Sequence, residues 1–158
     1  MDLAILRKIV WEEMLCGNMR ANYFAELLRT YQRRDKWLRV GILVASSGAV
    51  ATALPEISAW TKLLAPILAV SGSIWLLISQ YSSLARDAAD LHSGWSGLAR
   101  DYERLWSHLD DPQAEAKFHQ IYECGESLSK TGAKFPYKAK RLEYWLDQAG
   151  NLAAARYA

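Results

Sequence analysis

The side chains best able to do chemistry in this sequence are few and scattered. His119, Glu123 and Cys124 fall within about one helical turn, a spacing from which imidazole, carboxylate and thiolate could converge on a metal ion. His92, His108 and Cys16 lie elsewhere and add no second cluster, so neither a metal nor another cofactor is expected. There is no glycine-rich phosphate loop, no HExxH and no GxSxG. With no nucleophile set beside a base, the chain is not expected to be an enzyme. The two cysteines form no CxxC and read as free thiols. Lys134, Lys138 and Arg141, beside Phe135 and Tyr137, form a basic group that could meet a nucleotide or an anionic lipid headgroup. Glu143 and Asp147 follow at once, so an ordinary charged helix face is the competing reading.

The elements that would carry these residues follow from where the charges are and are not. The chain has 158 residues and a net charge of +2, which gives no reason to expect a nucleic acid polymer as partner. No charged side chain occurs in residues 40–55 or 63–85. The second run, as a helix, would be ~35 Å long against a ~30 Å hydrocarbon core. The first is marginal, because Ser46, Ser47, Gly48 and Thr52 offset its aliphatic residues. Arg29, Arg33, Arg34, Lys36 and Arg39 precede it, while the short connection has one cation, Lys62. That bias predicts a bacterial inner-membrane protein, multi-pass, with both termini cytoplasmic and the lipid bilayer as a partner. The expected fold class is an all-α membrane protein: a two-helix transmembrane hairpin whose long helices extend into a cytoplasmic helical bundle. The expected divisions are residues 1–36 (amphipathic helix and start of the first long helix), 37–85 (hairpin, spans about 38–54 and 63–83) and 86–158 (cytoplasmic helices).

Spacing also suggests how these helices pack. Gly41, Ala45 and Gly48 on the first span, with Ala65, Ala69 and Gly72 on the second, offer small faces for close backbone approach. Ser46, Ser47, Thr52, Ser71 and Ser73 are the candidates for a polar pore lining, although serine hydroxyls also bond back to their own helix. Leu91, Trp95, Leu98, Tyr102, Leu105 and Leu109 alternate by four and three, the a/d pattern of a helical seam, here a candidate oligomer seam. Gly94 and Gly97 interrupt that ideal and could mark a kink or the close approach of another helix. An amphipathic helix over 3–15 is expected to break near Gly17-Asn18. A further helix is expected from Pro112 to about Lys130, capped by Asp110 or Asp111, and another from near Pro136.

The basic run Arg33-Arg34-Asp35-Lys36-Trp37 leading into a first span, the short loop, the second span, Ala99-Arg100-Asp101-Tyr102-Glu103-Arg104-Leu105-Trp106 and the closing Phe135-Pro136-Tyr137-Lys138-Ala139-Lys140-Arg141-Leu142 together resemble the SLATT family. These are two-transmembrane effector domains associated with SMODS nucleotidyltransferases and SLOG sensors. The resemblance covers nearly the whole chain and rests on architecture more than on any single residue. It implies a homo-oligomeric, pore- or channel-forming effector of a bacterial antiviral or conflict system, permeabilising the inner membrane. The activating signal would come from a partner nucleotide-signalling sensor or from a nucleotide ligand. The other reading is a non-conducting membrane scaffold that docks a cytoplasmic partner.

Overall fold

The computed structural model describes residues 2–51, 67, 70–75 and 80–157, with side chains given outside 45–51 and 157. Among these residues four helices are bounded: α1 (Leu3–Ala51), α2 (Tyr81–Trp106), α3 (Ala114–Gly132) and α4 (Ala139–Tyr157). Residues 67 and 70–75 are also helical, and no strand occurs among the described residues. The chain divides into two compact units, one of Met1–Glu26 with Asp87–Ala158, the other of Leu27–Arg86.

The first unit is built on periodic apolar faces. On α1, Leu6, Val10, Met14, Gly17, Ala21 and Phe24 recur at three or four residues and are all buried. On α2 the 4-3 alternation predicted from sequence is the core itself, with Leu91, Trp95, Leu98, Tyr102 and Leu105 buried, and Leu109 beyond it. Phe118 of α3 meets the Tyr102 ring at 6.2 Å between centroids. Phe24 meets Phe135 edge-on at 5.5 Å. The expected oligomer seam is therefore buried inside a single chain, against α1 and α3.

Gly17 does not end the first helix, as its propensity suggested. α1 runs through it, because a Cβ there would lie 3.3 Å from the Cβ and 3.4 Å from the Cα of Ala99. The glycine lets the α1 and α2 backbones approach, and tertiary packing outweighs a helix-propensity cost of ~1 kcal/mol. Gly94 serves α3 in the same way, since its added Cβ would meet Leu128 at 2.7 Å. Gly97 has nothing within 4 Å, and α2 passes both without interruption. α3 starts two residues after Pro112 with Gln113, not Asp110 or Asp111, at its N-cap and no side-chain cap bond; Asp111 accepts the Gln113 amide at 2.9 Å just ahead of the helix. Lys117 also reaches Asp111 at 2.6 Å, and this bond, ahead of the Gln113 amide, holds the carboxyl below its ordinary value.

In the second unit, Tyr31 and Tyr81 stack at 6.2 Å, and Ile42 lies against Gly72, whose added Cβ would be 3.2 Å away. Advancing along α1 thus means going back along the partner segment, the register of an antiparallel helix pair. Burial raises the Tyr31 phenol above its ordinary value. Gln80, at φ 45°, takes the left-handed conformation immediately before α2, and its carbonyl accepts the amides of Ser83 and Leu84.

The membrane expectation is corrected. Among the described residues no helix is long and apolar enough to cross a membrane. α1 is long, but Arg33, Arg34, Lys36 and Arg39 occupy its middle, and the charge-free residues 40–51 after them extend only ~18 Å. The two-helix transmembrane hairpin, the pore-forming membrane class and the multi-pass inner-membrane location are accordingly not supported. Residues 52–66, 68–69 and 76–79, which complete the expected spans, lie outside the described residues.

Candidate functional site

α1 and α4 lie antiparallel in the first unit, tied at one end through Glu26. That carboxylate accepts the Trp145 indole N–H at 2.9 Å and pairs with Arg141 at 3.2 Å. Arg156, near the other end of α4, pairs with Glu103 of α2 at 2.7 Å. Ala149 and Ala153 are the buried face of α4, so short side chains bring the helix in while its longer apolar residues stay at the edge. Leu146 remains 40% exposed and Tyr137 80%.

The space left beside α4 is a groove. Its deeper part, about 620 Å³, is lined by Met19, Tyr23 and Phe24 of α1, by Leu128 and Gly132 of α3, and by Leu142 and Leu146 of α4. Leu146 also lines the adjoining hollow, together with Glu12, Leu15, Cys16 and Asp147. The floor is ordered by polar ties. The Tyr23 hydroxyl donates to the Pro136 carbonyl, and Arg20 donates to the Ser129 hydroxyl at 2.9 Å while stacking over the Trp95 ring at 4.5 Å. Trp95 is 3% exposed, and its indole N–H has no acceptor. Burial, reinforced by Glu13, raises the Cys16 thiol, so at neutral pH it is a protonated, half-buried group.

A second surface belongs to the other unit. Trp37, Val40 and Val44 are exposed on α1, and at ~100° per residue they lie roughly opposite Ile42, the residue that meets the partner segment. Ile67, Val70 and Ile74 have the same relation to Gly72. This antiparallel pair therefore carries an apolar stripe on each outward face, the inverse of the pattern water favours.

The residues singled out from sequence distribute as follows. Gly72 lies against the Ile42 side chain, whereas Gly41 is exposed with nothing within 4 Å of an added Cβ. The Ser71 hydroxyl donates back to the Ile67 carbonyl at 2.7 Å, and Ser73 is exposed. Thr52, Ala65 and Ala69 lie outside the described residues, as do the side chains of Ala45, Ser46, Ser47 and Gly48. Of the basic group, Lys134 pairs with Asp87 at 2.6 Å and Arg141 with Glu26, while Lys138 is exposed. Two of these three cations thus hold α3 and α4 to the rest of the unit. His119, Glu123 and Cys124 are exposed on α3, and among the described residues no group of three or more His, Cys, Asp or Glu could hold a metal ion. Sequence reasoning missed Glu26 and Arg20, because their roles depend on partners more than seventy residues away.

What the described residues define is an all-helical chain with a groove in one unit, two outward apolar stripes in the other, and no catalytic constellation. Comparison with protein-family models, with characterised proteins and with solved structures finds no match.

Proposed function

We propose that the chain is a non-catalytic, self-assembling helical scaffold, whose copies associate through the two outward stripes of the second unit. The observation that carries this reading is the exposure of Trp37, Val40, Leu43, Val44, Ile67, Val70, Ile74 and Trp75 on so small a unit. Taking ~200 Å² for a Trp and ~100 Å² for an aliphatic side chain, the exposed fractions leave roughly 600 Å² of apolar surface. Divided between the two faces, that is roughly 300 Å² per stripe, so each contact between copies buries about 600 Å² from these side chains alone, the size of a weak contact that repetition along an assembly reinforces. Stripes on opposite faces cannot both be satisfied by one twofold contact, so assembly extends beyond a dimer into a ring or a stack. The resemblance to the SLATT family favours a bacterial conflict system as the setting, with a partner sensor governing the assembled state.

The test is the mass of the full chain by sedimentation and native mass spectrometry, for the wild type and for Val40→Glu and Val70→Glu. The wild type should form species larger than a dimer, and each variant, losing one stripe, should stop at monomer or dimer. A monomeric wild type that becomes ordered on lipid vesicles instead, or variants that assemble unchanged, would refute the proposal.

A further inference from the structure

The groove beside α4 has dimensions and charges that specify an occupant. From Glu12 to Phe24 along α1, and from Ala139 to Asn151 along α4, it runs ~18 Å, about three turns of a helix. Its floor is apolar, and the lining cation, Arg20, already holds Ser129 and Trp95. Exposed carboxylates stand along its edge: Glu143 by the deep part, Asp147 and Glu12 by the shallow one. Among the described residues neither Glu143 nor Asp147 has an ion-pair partner.

We propose that this groove docks a basic amphipathic helix of a separate partner protein. Three apolar anchors spaced i, i+3 or i+4, and i+7 fill the hollow along Leu146, and lysines or arginines on the flanks meet Glu143 and Asp147. An acidic or neutral amphipathic helix has the same apolar match but places its flanks against like charge or against nothing, so the carboxylates select the partner. The helix fits better than a small ligand because the hollow is an open trough extended by a second one, and Arg20 and the Tyr23 hydroxyl on its floor are already engaged inside the unit. The recognition uses the first unit alone and is independent of self-assembly, so Val40→Glu and Val70→Glu should retain it.

Cys16 lines the groove, and Cys124 lies exposed on α3 outside it, so one chain carries both reporter and control. The probe is a synthetic leucine–lysine amphipathic peptide of about 14 residues, ~21 Å as a helix. The comparison peptide has every lysine replaced by glutamate. Maleimide labelling of the full chain is followed at each cysteine by mass spectrometry, and affinity by fluorescence anisotropy. At saturation the basic peptide should slow Cys16 labelling about tenfold or more, leave Cys124 unchanged, and lose affinity as salt rises. The double variant Glu143→Lys, Asp147→Lys changes only exposed side chains and should weaken that peptide at least about tenfold while improving the acidic one. Equal affinity for both peptides, or protection of neither cysteine or of both, would overturn the proposal. So would Cys16 protection that rises with protein concentration in the absence of peptide, which would place a second copy in the groove.

Discussion

Replacing Glu26 by alanine should loosen α4 from α1 more than any other single exposed-edge change in the first unit. The carboxylate accepts the Trp145 indole N–H at 2.9 Å and pairs with Arg141 at 3.2 Å. A hydrogen bond from a half-buried donor to a charged acceptor contributes ~1.5–3 kcal/mol. The pair with Arg141, whose side chain is 58% exposed, adds less, ~0.2–1 kcal/mol. Alanine is the better helix former, which returns a few tenths of a kcal/mol. The net expectation is a loss of about 2 kcal/mol, concentrated in α4. Native-state hydrogen exchange reads it directly: amides of residues 139–157 should exchange about thirtyfold faster, since ~1.4 kcal/mol is a factor of ten. Glu26→Gln keeps an acceptor for the indole and should cost only about half as much. Exchange in α4 unchanged by Glu26→Ala, or raised equally by both substitutions, would refute the assignment of α4 docking to this carboxylate.

Gly17→Leu should cost about 2–3 kcal/mol in chemical denaturation, because the first added atom already meets the α2 backbone at Ala99 and no flexible side chain can yield. Gln80→Gly should stabilise by about 0.5–1 kcal/mol, since glycine holds φ 45° without the Cβ clash; a lower denaturation midpoint would count against strain at this position. Burial, helped by Glu13, keeps the Tyr102 phenol protonated well above the range in which an exposed tyrosine ionises. Only the unfolded chain then loses this proton above pH ~10, so stability falls as pH rises beyond that value, and Tyr102→Phe should flatten that slope in denaturation curves taken from about pH 9 to 11.5.

Much of the first unit was legible because its signals are periodic and local. The alternation from Leu91 to Leu109 predicted a helix with one apolar face, and the fold supplies one. Periodicity does not say whose helix covers the face, and here it is the same chain's α1 and α3. The extent of α3, from just after Pro112 to near Lys130, was likewise readable from residue type, whereas the cap expected of Asp110 or Asp111 falls to Gln113. Gly17 was misread because a glycine in a helix has two meanings, a terminus or a close approach, and only Ala99 decides between them. Lys134 and Arg141 suggested an anion site while their carboxylates, Asp87 and Glu26, lay far off in sequence. The apolar residues around 37–44 and 67–75 drew the membrane reading because hydropathy measures exposure to water without naming what replaces it. Among the described residues no helix meets the length and apolarity a span requires.

The contact of Gly17 with Ala99 also limits how this chain can drift during evolution. Both positions already carry nearly the smallest side chains available, so enlargement at one cannot be compensated by shrinkage at the other. Divergent homologues should therefore keep glycine, alanine or serine at both sites while solvent-facing residues away from the groove vary freely. Two small residues at this separation, each set within an apolar 4-3 repeat, make a sparse signature by which distant relatives could be recognised after overall similarity has faded.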